Sequence, residues 1–197
     1  MTDCFYFAYE GNKRTENKLL INYLDLKNIK NIVEPFCGSS SFSRWIYKNY
    51  DNDFTYYSND INSNLISFLK NIKEKGCKQF FDFSNEKLKD ITIDQHKEIV
   101  DAYKKDNSNP FLYWYYHKIY TFRKGIFPSR CVNKIQNYNK YTTHDEFYKK
   151  CNLSSDDYKI IMEKFKDDQT AIIYLDPPYF NACNTYYAID QSKKLNL

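Results

Sequence analysis

Short apolar runs alternate along the chain with longer stretches in which apolar residues recur at helical spacing. Three of the short runs predict strands, at 31–34, 54–57 and 172–175, because an apolar run bounded by turn residues suits a buried strand. Stretches of helical spacing follow the first two strands and precede the third. Strands and helices that alternate in this way favour an α/β fold with a Rossmann-like parallel sheet.

The predicted helices are defined by apolar residues that would share one face. These residues are Leu19, Leu20, Tyr23, Leu24 and Leu26 before the first strand, Phe42, Trp45, Ile46 and Tyr50 after it, Ile61, Leu65, Leu69 and Ile72 after the second, and Ile160, Ile161, Met162 and Phe165 before the third.

The first predicted strand ends in a turn that could approach a ligand closely. The run Glu34-Pro35-Phe36-Cys37-Gly38 leads into three serines, Ser39 to Ser41, which can cap the next helix. Gly38 permits a close approach of the backbone to a ligand. A plain connection between strand and helix would explain the same residues without a ligand.

The second strand leads to Asp60, which follows Gly38 by 22 residues. In nucleotide-binding sheets an acid at about this offset accepts hydrogen bonds from ribose hydroxyls. Asp60 would also serve well as the N-cap of the next helix. The residues alone leave both roles open.

The third strand runs directly into Asp176, Pro177, Pro178 and Tyr179. Because proline cannot donate to a strand ladder, this turn lies at the carboxyl end of its strand, where open α/β sheets bind ligands. The Asp176 carboxylate and the Pro177 carbonyl can accept the two hydrogens of an aromatic amino group, and Tyr179 offers a stacking face. This set favours methylation of an exocyclic amino group on a nucleobase, without a metal. The alternative is a purely structural turn.

The stretch between the second and third strands is longer than the one or two α/β units of about 30 residues that would fill it, which predicts an insertion. It begins with a helix around 99–103 and continues with an aromatic helix from 111. Packing explains most of the aromatic residues, and the predicted buried face consists of Leu112, Tyr115, Tyr116, Ile119 and Phe122. His117 and His144 have no ligand-like neighbours in sequence and are predicted to be packing or surface groups.

A turn-rich basic segment follows the aromatic helix. Cations suit phosphates, and arginine and amide side chains can read base edges. The candidate nucleic-acid contacts in this segment are Arg123, Lys124, Arg130, Lys134 and Asn137.

Composition narrows the classes of protein without selecting one. The chain has 197 residues, enough for one core with an insertion, and its net charge of +4 permits a nucleic-acid partner without requiring one. Its six cysteines include no Cys-x-x-Cys pair, which predicts reduced thiols in an intracellular protein and no zinc site. No apolar run is long enough to span a bilayer.

Taken together, these motifs resemble the Dam-type N6-adenine DNA methyltransferases, which use S-adenosylmethionine. The run from Asp176 to Tyr179 is similar to the catalytic motif of that family, and the run from Glu34 to Gly38 is similar to its first cofactor motif. Asn59 and Asp60 resemble the motif after its second strand. The catalytic tetrapeptide alone also resembles motifs of RNA and amide-nitrogen methyltransferases. The Gly-Asn-Lys segment before the first strand and the long insertion favour DNA.

The resemblance implies S-adenosylmethionine as cofactor, duplex DNA as partner, and a methyltransferase sheet with a mainly helical and loop recognition insertion. It implies the catalytic residues Asp176, Pro177, Pro178 and Tyr179, and the cofactor-binding residues Tyr9, Lys13, Glu34, Pro35, Phe36, Gly38, Asp60, Asp157 and Asp176. Asp157 would also serve as a helix cap, and the segment around Lys13 would also suit a solvated basic turn. The expected location is cytoplasmic, or with DNA in a nucleoid or viral factory.

The chain departs from the family pattern at Ser40, where the motif has a second glycine. If this position requires a positive φ, we expect serine to cost about 1 kcal/mol and to weaken cofactor binding.

The predicted division of the chain is a cofactor-binding part at 1–90, a DNA-recognition insertion at 91–150 and a return to the methyltransferase domain at 151–197. Only a short stretch follows Tyr179, whereas the family fold continues with further strands. We therefore expect a C-terminally truncated chain whose missing strands a second chain could supply. An RNA adenine methyltransferase and an inactive remnant that binds cofactor or DNA are the alternatives.

Overall fold

The computed structural model of the chain describes residues 5–7, 13–50, 53–89, 91–120 and 138–178. In these ranges one sheet is formed by β1 (Asn31–Glu34), β2 (Thr55–Asn59), β3 (Cys151–Ser154) and β4 (Ala171–Ile173). The helices are α1 (Arg14–Leu20), α2 (Ser41–Asn49), α3 (Ser63–Lys75), α4 (Lys78–Leu88), α5 (Ile93–Lys105), α6 (Pro110–Tyr115), α7 (Thr142–Lys150) and α8 (Tyr158–Phe165). Short 3-10 turns occupy Ile21–Tyr23 and Tyr138–Tyr141, and a π-helical turn occupies Tyr116–Tyr120.

The sheet is parallel, with the strand order β3-β2-β1-β4. Strand β1 pairs with β2 on one side and with β4 on the other. The carboxyl ends of all these strands therefore meet at one edge, and the strand order reverses between β1 and β4. In doubly wound sheets this reversal marks the ligand-binding crevice. The prediction of a Rossmann-like parallel sheet is confirmed.

Helical amphipathicity explains how α2, α3 and α8 pack on the sheet. The predicted faces are confirmed at the buried positions Phe42, Ile46, Leu65, Leu69, Ile72, Ile161 and Phe165. They are wrong at the exposed positions Leu19, Leu20, Tyr23, Ile61 and Ile160. Helix α1 ends at Leu20 and α3 begins at Ser63. Tyr23 and Ile61 therefore lie outside these α-helices and cannot share the predicted helical faces.

Strand β3 was not predicted from the sequence. Its four residues, Cys-Asn-Leu-Ser, show neither a continuous apolar run nor a clear alternation. Tertiary pairing with β2 nevertheless holds this segment extended, from Tyr56 opposite Cys151 to Asn59 opposite Ser154. Burial and ladder hydrogen bonds override weak local strand preference here.

The aromatic helix α6 is buried on more sides than the predicted face allowed. Tyr113, Trp114 and Tyr115 are consecutive and all at most 2% exposed, whereas only Tyr115 of these belonged to the predicted face. The Trp114 indole donates to Ser84 Oγ at 2.6 Å and stacks near Phe68. A short helix that is apolar all round belongs in a core, so the prediction of packing is confirmed, and the burial of Tyr113 and Trp114 extends beyond the predicted face. The side chains of Ile119 and Phe122 lie outside the described part of the chain.

His117 and His144 are packing groups, as predicted. His117 stacks on Phe7 with ring centroids 5.4 Å apart, and burial lowers the pKa of its imidazole to about 4. His144 is 8% exposed and lies edge-on to Tyr6.

Phe5, Tyr6 and Phe7 pass through the centre of this aromatic core, and each is at most 4% exposed. Helices α6 and α7 thus share one core with the sheet, through rings such as Phe68 and Phe147. None of the helices in the described ranges is long and apolar enough to cross a membrane.

Candidate active site

The turn after β1 contains two residues with left-handed backbone. Gly38 has φ 47° and Ser40 has φ 49° and ψ 43°. Ser40 therefore has the positive φ at which serine is expected to cost stability and to weaken cofactor binding. The turn closes through a hydrogen bond from Ser40 N to Cys37 O at 2.6 Å.

The prediction that the serines cap helix α2 is wrong, because the N-cap residue makes no side-chain capping hydrogen bond. Ser40 occupies the N-cap position, but its Oγ donates to Ser58 Oγ at 3.1 Å instead. Glu34 Oε2 accepts the N–H of Ser43 at 3.2 Å. A carboxylate at the end of β1 thus serves the helix N-terminus, where negative charge is favoured.

Glu34 is almost fully buried, and burial raises the pKa of its carboxyl to about 7 against the opposing hydrogen bonds from Ser43. Its role in cofactor binding stays a prediction. The next residues of the motif lie beside the same edge of the sheet: the Pro35 carbonyl accepts from Asn59 Nδ2 at 3.0 Å, and the Phe36 ring lies 5.0 Å from the Tyr158 ring.

Asp60 joins the ends of β1 and β2. Its Oδ2 accepts the N–H of Gly38 at 2.9 Å, and its Oδ1 accepts the N–H of Asn62 at 2.9 Å. Burial raises the pKa of this carboxyl. The alternative role as N-cap of α3 is wrong, because Asn62 holds that position and accepts from Leu65 N at 3.1 Å. Each carboxylate oxygen keeps a second lone pair with which it can accept from a ligand hydroxyl.

Asn59 is a residue whose structural role sequence reasoning missed. Its Nδ2 donates to the carbonyls of Pro35 and Asp156, both at 3.0 Å. Its Oδ1 accepts from Ser154 Oγ at 2.7 Å and from Asp156 N at 2.8 Å. This buried amide therefore uses all four hydrogen-bonding positions and ties together the turns after β1, β2 and β3.

Asp176 lies just beyond β4, at the same edge as Gly38 and Asp60. Tyr174 extends the pairing by donating its N–H to Val33 O at 2.8 Å, and its ring stacks on Phe42 at 4.4 Å. Lys13 Nζ lies 3.4 Å from Asp176 Oδ1, with the two side chains 15% and 24% exposed. The structure thus brings together Lys13 and Asp176, which are far apart in sequence.

Asp157 forms the N-cap of α8, and its carboxylate accepts the N–H of Lys159 at 2.8 Å. The helix-cap alternative is confirmed, while contact with a cofactor stays a prediction.

Several predicted site residues lie outside the described residues. They are Tyr9, Arg123, Lys124, Arg130, Lys134, Asn137 and Tyr179. Within the ranges that the structure covers, no group of three or more His, Cys, Asp or Glu side chains could hold a metal ion.

The ion-paired Asp176, the turn at Gly38 and the buried Asp60 therefore lie at one edge of the sheet. Such an edge can bind a nucleoside-containing cofactor beside a polar reacting group. Residues 9–194 match the family model of the D12 class N6 adenine-specific DNA methyltransferases. A search among curated proteins found no match to the chain.

Proposed function

Because the chain belongs to the family of D12 class N6 adenine-specific DNA methyltransferases, we propose that Asp176 and the Pro177 carbonyl bind the amino group of the target adenine. The observation that carries this proposal is the position of Asp176 beyond β4, beside the central strand β1 and at the same edge as Gly38 and Asp60. Open α/β sheets bind ligands outside the carboxyl ends of their strands, so a methyl acceptor and a nucleoside cofactor can meet at this edge.

The two acceptors act on the electronic state of the adenine nitrogen. The lone pair of an aromatic amino group is delocalised into the ring, so the free group is a poor nucleophile. Hydrogen bonds from its two N–H groups to Asp176 and to the Pro177 carbonyl favour a pyramidal nitrogen with a localised lone pair. Acceptors that are already in place stabilise the charge that develops on the nitrogen. Tyr179 would stack on the base and fix its orientation.

S-adenosylmethionine supplies the electrophilic methyl group when it is bound. The residues present fit this cofactor: Asp60 can accept from ribose hydroxyls, and the left-handed turn at Gly38 lets backbone approach a ligand. The rings of Phe36 and Tyr158, 5.0 Å apart, offer an aromatic surface near the end of β1 for a purine.

Lys13, which the resemblance implies as a cofactor-binding residue, also acts on Asp176. Its ion pair with Asp176 fixes the direction of the carboxylate before the base enters. An oriented acceptor loses less freedom on binding than a mobile one.

Duplex DNA would be bound by the segment with Arg123, Lys124, Arg130, Lys134 and Asn137. Because Asp176 is only partly exposed, the target adenine must leave the base stack to reach it, which costs a few kcal/mol.

The test is transfer of a labelled methyl group from S-adenosylmethionine to AT-rich duplex DNA and to RNA. We expect label on DNA, and a rate lowered by roughly 10² to 10³ fold in Asp176→Ala, as for the loss of one oriented polar group. Asp167→Ala, an exposed acid in the turn before β4, is the matched control and should keep the wild-type rate.

Each result bears on a different part of the proposal. Label on RNA alone would overturn the DNA substrate. Equal rates in Asp176→Ala and wild type would overturn the role of Asp176. Calorimetry with S-adenosylmethionine on the wild type and on Asp176→Ala separates these results from loss of the cofactor site. A variant that is inactive but binds the cofactor as tightly as the wild type supports the role of Asp176 toward the adenine, whereas loss of cofactor binding would assign Asp176 to the cofactor instead.

A further inference from the structure

The carbonyl of Ser39, in the middle of the left-handed turn, is held by two buried side chains. It accepts from Arg44 Nε at 2.8 Å and from Tyr148 Oη at 3.0 Å. The N–H of the same peptide group, on Ser40, donates to Cys37 O. Both polar ends of this peptide are therefore fixed, which sets the plane of the turn between Gly38 and Ser40.

Arg44 is itself positioned by helix α7. It is 2% exposed, and its Nη1 lies 2.9 Å from His144 Nε2. Since a guanidinium can only donate, His144 accepts at Nε2 and carries its hydrogen on Nδ1. The Phe5 ring lies 5.3 Å from the guanidinium carbon. Helix α7 thus contributes one direct hydrogen bond to the turn, through Tyr148, and one indirect bond, through His144 and Arg44.

This turn needs such support because it lacks a second glycine. Ser40 has a Cβ in left-handed backbone, and strain of this kind persists only where the surroundings fix it. If the Ser39 carbonyl were released, Ser40 could relax toward negative φ, and Gly38 would move relative to Asp60.

We propose that Arg44, His144 and Tyr148 are positioning residues that keep the Gly38–Ser40 turn in its cofactor-binding shape, so that affinity for S-adenosylmethionine depends on helix α7. This inference rests on the cofactor site proposed above. The three side chains act through the backbone of the turn, and a turn that is already in its bound shape binds more tightly because less ordering remains.

The test compares variants that differ by single polar groups. Tyr148→Phe removes the hydroxyl that binds Ser39, and His144→Leu removes the acceptor for Arg44. His144→Gln restores an acceptor of similar reach. The control is Tyr56→Phe: Tyr56 is 1% exposed, packs on Phe147 of α7, and its hydroxyl has no hydrogen-bond partner among the described residues.

Binding of S-adenosylmethionine is measured by calorimetry at a temperature where circular dichroism shows every variant folded. We expect the dissociation constant to rise about tenfold in Tyr148→Phe and in His144→Leu, the equivalent of one hydrogen bond. His144→Gln and Tyr56→Phe should stay within about twofold of wild type. In steady-state assays the KM for S-adenosylmethionine should rise while kcat stays unchanged, which general destabilisation would not produce.

The outcomes separate this inference from the proposed function. Wild-type affinity in both Tyr148→Phe and His144→Leu, or equal weakening in Tyr56→Phe, would overturn the inference and leave the cofactor site standing. A wild-type protein that binds no S-adenosylmethionine would overturn the cofactor site and the inference with it.

Discussion

Two residues, one at the end of β1 and one in the turn after it, are held in states that an isolated chain would avoid. Ser40 has left-handed backbone, and Glu34 buries a carboxyl group whose pKa rises to about 7. Specific neighbours stabilise both states. The Ser40 hydroxyl donates to Ser58 Oγ, and the Glu34 carboxylate accepts the N–H of Ser43. At the residue scale, the shape of the turn is therefore obtained at a local cost in stability.

The cost at Ser40 can be measured by comparing Ser40→Gly with Ser40→Ala. Both variants lose the hydroxyl bond to Ser58, and they differ only by the Cβ in left-handed backbone. We expect Ser40→Gly to be more stable than Ser40→Ala by about 1 kcal/mol. Urea unfolding monitored by circular dichroism measures the difference. An alanine variant as stable as the glycine variant would show that the backbone is not strained there.

The buried carboxyl of Glu34 predicts a pH dependence of stability. Above its ordinary pKa of 4.5 the unfolded chain has released this proton, whereas the folded chain retains it up to about pH 7. The contribution of the protonated Glu34 to the free energy of unfolding is thus fully present below the unfolded pKa. It is lost as the pH rises through 7, and the total loss is about 3 kcal/mol.

Glu34→Gln keeps an acceptor for Ser43 and removes the titration. The free energy of unfolding of this variant, relative to wild type, should therefore be higher at pH 8 than at pH 5. Urea titrations at the two pH values test this, with the exposed Glu74→Gln of helix α3 as the matched control. A difference between variant and wild type that does not change with pH would contradict the prediction.

At the scale of elements, the ends of β1, β2 and β3 are joined by one amide rather than by strand pairing alone. Asn59 binds backbone or side-chain atoms of Pro35, Ser154 and Asp156. The strand edge that carries the candidate site is therefore fixed by a buried side chain that bears no charge.

Removing this amide should loosen the edge. Asn59→Ala leaves buried carbonyl and N–H groups without their partner, and we expect it to cost about 3 kcal/mol of unfolding free energy. The control is Asn152→Ala, an exposed asparagine of β3 with one bond to the Tyr56 carbonyl at 3.3 Å, which should cost under about 1 kcal/mol. Equal losses in the two variants would show that the Asn59 network adds nothing beyond an ordinary hydrogen bond.

At the scale of the whole molecule, the sequence was informative where chemistry follows a strand directly. Gly38, Asp60 and Asp176 each come shortly after an apolar run, so their common edge could be predicted from parallel pairing. The Lys13–Asp176 ion pair and the four bonds of Asn59 could not be predicted, because both join segments that are remote in sequence. Strand β3 was missed for a different reason, since pairing with β2 rather than local pattern keeps it extended.

If the predicted insertion between residues 90 and 150 were a separate unit, it could unfold independently of the sheet, but the packing of the core favours a single cooperative unit. Trp114 of α6 is fully buried and stacks with Phe68 of α3, with ring centroids 6.0 Å apart. Helix α3 in turn follows β2 and belongs to the layer over the sheet. Because the described core is continuous from α5, α6 and α7 to the sheet, we expect these three helices and the sheet to unfold as one unit.

The variant Trp45→Phe tests this, because it leaves Trp114 as the sole tryptophan of the chain. Its fluorescence then reports on α6, while far-ultraviolet circular dichroism reports on all secondary structure. We expect the two urea transitions to coincide, since Trp114 cannot be exposed without opening the core that also covers β2. The wild-type circular dichroism curve controls for the substitution itself. A fluorescence transition at clearly lower urea would instead mean that the insertion unfolds alone, and it would favour a separate recognition unit that can rearrange without disrupting the sheet edge.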